Sequence, residues 1–310
     1  MRTLTYLIIF LTGCLLLAIV PKVGGLVWDP QVIIPLTVAM FTLLVWLVAR
    51  FIGTDRTAIE VAVTALFIAL FNPSASLFVS CDEEALIELS SQCIVPFFLT
   101  QYRRLGHKSF SRGYTLMLLM GIFCSFTHDA ITIPLCLAFL MLAWKRRSEF
   151  FRLAIWPMVC GWVVGTVLQF VARRHMPDLQ PDLQLLTWHT TRTLALLWDT
   201  KAFVLAMALT LWFTTTPWGR NALLHMLHRQ RLIAYSLFFA LATVPFAPLG
   251  IENTVTSVCF FAMLWAMLLI QQLIRRSVAA RHFVHRHTGS TSLRDFYLET
   301  DSTEQAGNGK

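Results

Sequence analysis

A histidine and an aspartate, His128 and Asp129, stand side by side inside the apolar run 114–144. Ionisable residues at membrane depth are costly, so they usually face a cavity or a partner and mark function. Histidine titrates near neutral pH, and an adjacent carboxylate orients or charges its ring. The pair therefore suits a general base, a metal ligand or a proton relay. A polar turn between two short helices is the other interpretation.

A second group of acids lies in the segment 81–93, CDEEALIELSSQC. Glu84, Glu88, Ser91 and Gln92 fall at i, i+4, i+7 and i+8, so on a helix they share one face. The helix dipole stabilises acids in a first turn, which accounts for Glu84 without any function. It does not account for Glu88, one turn deeper. The polar stripe predicts a helix that lines a wet cavity, with Glu84 and Glu88 as candidate substrate-binding residues.

Three further candidates stand at breaks in the chain. Asp29 precedes a proline between the first two apolar runs and is a candidate catalytic residue. The segment 245–250 contains two prolines and a glycine, after which Glu252 and Asn253 open the last apolar run. These two are candidate substrate-binding residues. Each of the three also suits an ordinary turn or helix cap.

Membrane helices are the elements that must position these residues. Hydrophobic residues make up 56% of the 310 residues, and the mean hydropathy is +0.65. A soluble domain is roughly 45–50% apolar, and the apolar runs here approach the ~20 residues that cross a bilayer. We predict an all-α, polytopic transmembrane bundle of about ten membrane segments: 6–20, 32–49, 57–79, 85–101, 113–127, 131–144, 153–172, 202–216, 232–249 and 255–274.

Two parts of this arrangement have alternatives. Residues 11–14 resemble a lipoprotein cleavage box after a signal peptide, but apolar residues continue past Cys14, so we predict a transmembrane helix. The segments 113–127 and 131–144 are short, and a broken re-entrant element is the alternative to two crossings.

The chain divides into three regions by composition. The transmembrane domain covers 1–275 and includes the outer loop 173–201. A basic juxtamembrane segment at 276–289 suits the surface of anionic lipid, which is the predicted partner of the chain. Residues 290–310 are polar, and we expect a disordered tail.

Basic residues are distributed unevenly between the loops. If both termini are cytoplasmic and the chain crosses ten times, the outer face holds five of the 25 lysines and arginines: Lys22, Arg173, Arg174, Arg192 and Lys201. This asymmetry follows the positive-inside rule and supports ten crossings. Because the basic clusters fix membrane orientation, the net charge of +8 does not indicate nucleic acid as a partner. The same topology places the acidic candidates and His128 at or near the outer face.

The outer loop 173–201 contains a predicted interfacial helix. Residues 183–198 are amphipathic, and Trp188 and Trp198 suit the headgroup layer. Arg192 and Lys201 are candidate substrate-binding residues for a phosphate, because phosphate recognition needs fixed positive charge.

Several site classes find no support in the sequence. The seven cysteines show no CxxC or Cys/His ligand spacing, so we predict no disulfide framework and no structural metal site. The sequence contains no P-loop, GxGxxG, HExxH or GxSxG motif.

The segment GIFCSFTHDAITIPLCLAFL (121–140) resembles a motif of bacterial multi-pass proteins distantly related to the GT-C glycosyltransferases. The spacing onward to PFAPLGIENT (245–254) is also similar, and the resemblance covers roughly 57–275. It implies an all-helical fold in the bacterial inner membrane with an outward-facing site. GT-C enzymes transfer sugar from a polyprenyl-phosphate donor, so such a lipid-linked sugar is the implied partner.

The resemblance assigns roles to residues already singled out. His128 and Asp129 match the family's His/Asn-acid motif, with Asp129 or Asp29 as the base that activates the acceptor hydroxyl. The chain departs from the family in two places. Its first outer loop carries only Asp29 where relatives carry an acidic pair, and Glu252 and Asn253 stand where relatives often carry an arginine. The cofactor stays open, with a divalent cation as the candidate.

Three functional hypotheses follow. The first is sugar transfer at the outer face. The second is a transporter or flippase in which His128, Asp129, Glu84 and Glu88 line a proton path. The third is a non-catalytic membrane subunit with a structural polar cluster. A site confined to the outer third favours the enzyme, a continuous polar path to Glu60 favours transport, and a closed, fully paired cluster favours the subunit.

Overall fold

The computed structural model describes residues 30–55, 57–74, 83–105, 118–119, 121–122, 129–145, 156–172, 183–245 and 251–286. Regular structure within these residues is entirely helical, in agreement with the predicted fold class. The ten helices of this part of the chain are α1 (Pro30–Ile52), α2 (Ala58–Phe71), α3 (Glu83–Leu105), α4 (Asp129–Lys145), α5 (Trp156–Ala172), α6 (Leu183–Asp199), α7 (Lys201–Thr215), α8 (Pro217–Arg229), α9 (Arg231–Ala242) and α10 (Ile251–Arg286).

Eight of the ten predicted apolar segments overlap a helix, although α9 ends at Ala242, before the predicted end of the segment 232–249. Of the segment 113–127, residues 118–119 and 121–122 are described and are helical. The segment 6–20, the candidates Asp29 and His128, and the predicted tail 290–310 lie outside the described residues.

Prolines and caps set several helix ends. Thr57 and Glu60 form a capping box at the start of α2, each side chain bonding the backbone N–H of the other. The predicted segment 57–79 is too long, because α2 ends at Phe71. Asn72 is extended and precedes a proline, and a residue before proline avoids the helical region.

The helix α8 has no counterpart in the sequence prediction, which assigned no element to residues 217–229. Pro217 occupies its first turn, and the Thr216 hydroxyl accepts a hydrogen bond from the Gly219 N–H at 3.1 Å. Proline at the first helical position and threonine as N-cap are both favourable for a helix start. The local signals were therefore present, although charged residues made the segment look like a loop.

The centre of the bundle is α10. Every residue from 258 to 269 is buried, so the helix is enclosed on all faces at that depth. It packs against α1, α4, α6, α7 and α9. A helix that is apolar all round belongs in the interior of a large bundle.

A second packing layer joins α3, α4 and α5 through aromatic rings. The Phe98 ring lies 5.0 Å from Phe139 and 4.6 Å from Trp162, measured between centroids. At Gly161, α5 meets the backbone of residues 118–122, because an added Cβ would overlap the Leu118 carbonyl. Small residues permit such close helix approach in membranes.

Two helical stretches of the described chain are long and apolar enough to cross a membrane, Ile33–Ile52 and Ile251–Ser277. The pair Leu186–Asp199 and Lys201–Thr215, bent by 79°, would be a third if it forms one broken span. Shorter apolar helices of 10–17 residues make up much of the remaining bundle. The chain is thus a helical protein with two to three candidate membrane spans in its described part.

Candidate functional site

The predicted site residues are spread over several helix ends. Asp129 is the first residue of α4, and Glu84 is the second residue of α3. Lys201 opens α7 and is exposed. Glu252 and Asn253 stand exposed in the first turn of α10.

Arg192 lies on the exposed face of α6, with its guanidinium carbon 5.8 Å from the centroid of the Trp188 ring. Such a contact leaves the charge in solvent and stabilises it modestly. Both side chains are exposed on the surface of α6.

Glu88 is the predicted residue with the most informative surroundings. It belongs to a group that we call the Gln92 cluster, formed by Asn72, Ser74, Glu88 and Gln92. Glu88 is 9% exposed and Gln92 is fully buried. The cluster joins the end of α2 to the first turns of α3.

Gln92 is the hub of this cluster. Its Nε2, which carries two hydrogens, lies within donating distance of three acceptors: Glu88 Oε1 at 3.1 Å, Ser74 Oγ at 2.9 Å and Asn72 Oδ1 at 3.2 Å. Its Oε1 accepts from Asn72 Nδ2 at 2.7 Å, and Asn72 Oδ1 also accepts from the Ser74 N–H at 2.9 Å. Buried amides are stable only when they are bonded in this way. Sequence spacing identified Glu88 and Gln92, whereas Asn72 and Ser74 are brought in by the fold.

The Glu88 carboxylate keeps acceptor capacity. Its one hydrogen-bond partner among the described residues is Gln92, whereas an ionised carboxylate has about four lone-pair sites. In the described part of the chain, no group of three or more His, Cys, Asp or Glu side chains is placed to hold a metal ion. Within the described residues, Glu88 is thus a single buried acidic side chain without neighbouring metal ligands.

The buried apolar side chain of Ile68 separates the Gln92 cluster from Glu60. Glu60 is exposed in its capping box at the opposite end of α2. Thr64 bonds Thr54 and the Glu60 carbonyl, but the next residue on the same face is Ile68, which is fully buried. Along the described residues of α2, polar groups thus do not form a continuous path.

His189 is a site residue that the sequence analysis did not select. Its ring is 3% exposed, and Nδ1 lies 2.9 Å from the Val244 carbonyl oxygen. Because a carbonyl only accepts, Nδ1 carries a hydrogen and donates to Val244. The other ring nitrogen, Nε2, is buried and has no hydrogen-bond partner in the described structure.

Thr193, one turn after His189, shares this property. Its hydroxyl is fully buried and has no hydrogen-bond partner among the described residues, while Thr190 and Thr191 on the same helix donate to carbonyls one turn back. The spacing of four residues places His189 and Thr193 on one face of α6. The i, i+4 pairing was visible in the sequence, but the contact with Val244 was not.

No protein-family model, curated protein or solved structure matches this chain. The GT-C resemblance therefore stays a prediction.

Proposed function

We propose that this chain is a GT-C-like glycosyltransferase, or a shortened relative, that uses a polyprenyl-phosphate sugar at the outer face of a bacterial inner membrane. The observation that carries the proposal is Glu88, a buried carboxylate with spare acceptor capacity near the start of α3. An ionisable group inside a membrane domain is by default a functional candidate.

Contacts between helices support the ten-segment topology on which this proposal depends. Cys93 Sγ donates to the Met40 carbonyl, and each residue lies ten positions after the start of its helix. Cys136 bonds Thr166. Cys136 lies seven residues from the predicted outer end of α4, and Thr166 lies six residues from the predicted outer end of α5. Partners thus lie at similar predicted depths, as a shared bilayer requires.

The contacts near the helix ends follow the same rule. Gln271 Nε2 donates to the Ile52 carbonyl, which joins two predicted cytoplasmic ends. His189 joins α6 to the residues after α9, and both are predicted at the outer face. The contact between Phe98 of α3 and Phe139 of α4 joins two helices that the predicted topology orients alike.

The chemistry assigns each candidate a task. Asp129 or Asp29 is the base that removes the proton from the acceptor hydroxyl. His128, with Glu84 or Glu88, holds the phosphate or a bridging divalent cation, which would supply charge neutralisation when bound.

Positive charge for the donor phosphate comes from the exposed side chains of Arg192 and Lys201 on either side of the α6–α7 bend. Glu252 and Asn253 open α10 on the same predicted face and contact the acceptor sugar.

One alternative has an observation of its own. The hydrogen bonds within the Gln92 cluster also suit a non-catalytic membrane subunit, in which the cluster attaches the residues after α2 to α3. Transport is less favoured, because Ile68 interrupts the polar face between Asn72 and Glu60.

Native mass spectrometry of the gently solubilised protein tests the proposal. We expect a polyprenyl-phosphate lipid to co-purify with the parent and with Glu60→Gln, a matched change of an exposed glutamate. We expect Glu88→Gln, and the pair His128→Ala with Asp129→Ala, to lose that lipid at normal membrane levels. Absence of the lipid from the parent, or its retention in both altered proteins, would refute the proposal.

A further inference from the structure

The helix α8, which the sequence analysis did not predict, is amphipathic and connects two apolar helices. Its 13 residues extend about 20 Å, which is too short to cross a hydrocarbon core of ~30 Å. Gly219, Leu223 and Met226 are buried and share one face. The helix packs against α7 and α9. The opposite face of α8 is exposed and takes no part in the packing of the described bundle.

This exposed face is basic. Arg220 and Arg229 are exposed at its two ends, and His225 and His228 are exposed between them. No acidic residue occurs from 200 to 251, so no carboxylate close in sequence offsets this charge. Neither arginine forms an ion pair within the described part of the chain. The exposed face of α8 therefore complements a negatively charged partner.

Contacts with the last turn of α7 set the level of α8 in the membrane. The Arg220 Nε donates to the Thr214 carbonyl oxygen at 3.0 Å. At Gly219, an added Cβ would overlap the Phe213 carbonyl oxygen, so the first turn of α8 lies directly against α7. Trp212 in that turn of α7 is 47% exposed, and tryptophan is enriched at the boundary between hydrocarbon and headgroups. The basic face of α8 therefore begins at the level of the headgroups.

One apolar side chain stands within the basic face. Leu224 is 64% exposed. It lies four residues after Arg220 and four before His228, so the three side chains form one row along the helix. A soluble polyanion offers no apolar group to this leucine. A lipid surface, which combines phosphate groups with the start of acyl chains, matches both the charge and Leu224.

We propose that the exposed face of α8 binds the anionic phospholipid headgroups of the leaflet around the end of α7. Arg220 and Arg229 are the phosphate partners, and Leu224 inserts among the first acyl carbons. Interfacial helices with basic residues bind anionic lipid in this manner. The predicted topology places α8 at the cytoplasmic face, across the bilayer from the proposed sugar-transfer site. The inference needs membrane embedding but not sugar transfer, so the two proposals can fail separately.

Hydrogen–deuterium exchange of the backbone amides of 218–229 tests the inference on the full-length protein in nanodiscs. Lipid that binds the folded helix stabilises it and slows exchange. We expect exchange at least about fivefold slower with mixed phosphatidylglycerol and phosphatidylcholine than with phosphatidylcholine alone, the factor that one basic contact at an anionic surface contributes. The difference should disappear in about 1 M salt, where the Debye length is about 3 Å. This measurement requires no variant.

Two paired substitutions separate charge from local structure. Arg220→Gln with Arg229→Gln should remove the difference between the two membranes. Arg220→Lys with Arg229→Lys keeps the charge and should restore the difference, which a purely structural role of the Arg220 bond to Thr214 would not do. Arg192→Gln is the matched control, because Arg192 is an exposed arginine on α6 at the opposite predicted face. It should leave the exchange of α8 unchanged.

Leu224→Gln tests the apolar part of the proposal. It keeps every charge and should speed exchange of α8 in both membranes, because the inserted side chain is lost. Equal exchange of the parent in the two membranes, or a difference that persists in high salt or in the glutamine pair, would overturn the inference. Loss of the difference in the lysine pair or in Arg192→Gln, or unchanged exchange in Leu224→Gln, would overturn it as well.

Discussion

Replacement of Gln92 by leucine separates the energy of the Gln92 cluster from that of apolar packing. The two side chains have similar volumes, so the change removes the hydrogen bonds of Gln92 with little change in packing. Asn72 Nδ2 then loses its acceptor, which costs about 1–3 kcal/mol for a buried neutral donor. Glu88 loses its one described donor, and a bond to a charged group contributes about 1.5–3 kcal/mol.

The expected destabilisation is therefore about 3–5 kcal/mol, which is far above the roughly 0.6 kcal/mol average of a single interhelical bond in a membrane protein. The assay is equilibrium unfolding in mixed micelles with increasing denaturing detergent. Gln230→Leu is the control, because the half-buried Gln230 side chain makes no capping hydrogen bond.

A double-mutant cycle sharpens this prediction. Glu88→Leu in the Gln92→Leu background removes the carboxylate that Gln92→Leu leaves unpaired. The destabilisation of the double variant should therefore be about 1–2 kcal/mol smaller than the sum of the two single-variant destabilisations. Additive effects, or a cost below about 0.5 kcal/mol for Gln92→Leu, would show that the cluster is solvated in the membrane and refute the reasoning.

Three further changes test other parts of the bundle. Gly161→Ala places a methyl group against the Leu118 carbonyl and should cost about 1–3 kcal/mol in the same unfolding assay. Gly53 has a φ of 87°, so Gly53→Ala should cost about 1–2 kcal/mol although its surroundings have room for the methyl. His189→Asn places an amide N–H near the position of Nδ1 and should retain the bond to Val244 and most of the stability, whereas His189→Ala should lose about 1–3 kcal/mol. Equal stabilities of the two His189 variants would contradict the assignment of Nδ1 as the donor.

Most helix positions were predictable, because apolar runs can be located from their length and hydropathy alone. The end of α2 was not predicted, although Asn72 before a proline is a local signal of helix termination. The helix α8 was also missed, because a threonine cap and a proline start compete with charged residues that are typical of loops. Local capping chemistry therefore had too little weight in the sequence prediction, although it explains where α2 ends and where α8 begins.

The candidate site was predictable where it depended on one helix. The i, i+4 relation of Glu88 and Gln92 follows from helical periodicity, and the structure places both in one hydrogen-bonded cluster. Asn72 lies 20 residues before Gln92, and His189 meets Val244 across 55 residues. No periodicity specifies such contacts, because they arise from the way separate helices pack.

The Gln92 cluster is difficult to explain by stability alone. Breaking it is costly, yet replacing every member by apolar residues of similar shape would be close to neutral, since buried polar and ionic groups lose much of their gain to desolvation. Two explanations remain, a binding function for Glu88 or the attachment of the residues after α2 to α3. They differ in what Glu88→Gln does: a glutamine keeps an acceptor for Gln92 and so preserves this attachment, but it removes the charge that a phosphate-bridging cation would require. Retained stability with lost lipid therefore identifies Glu88 as a binding residue, and retained stability with retained lipid identifies the cluster as a structural attachment between the end of α2 and α3.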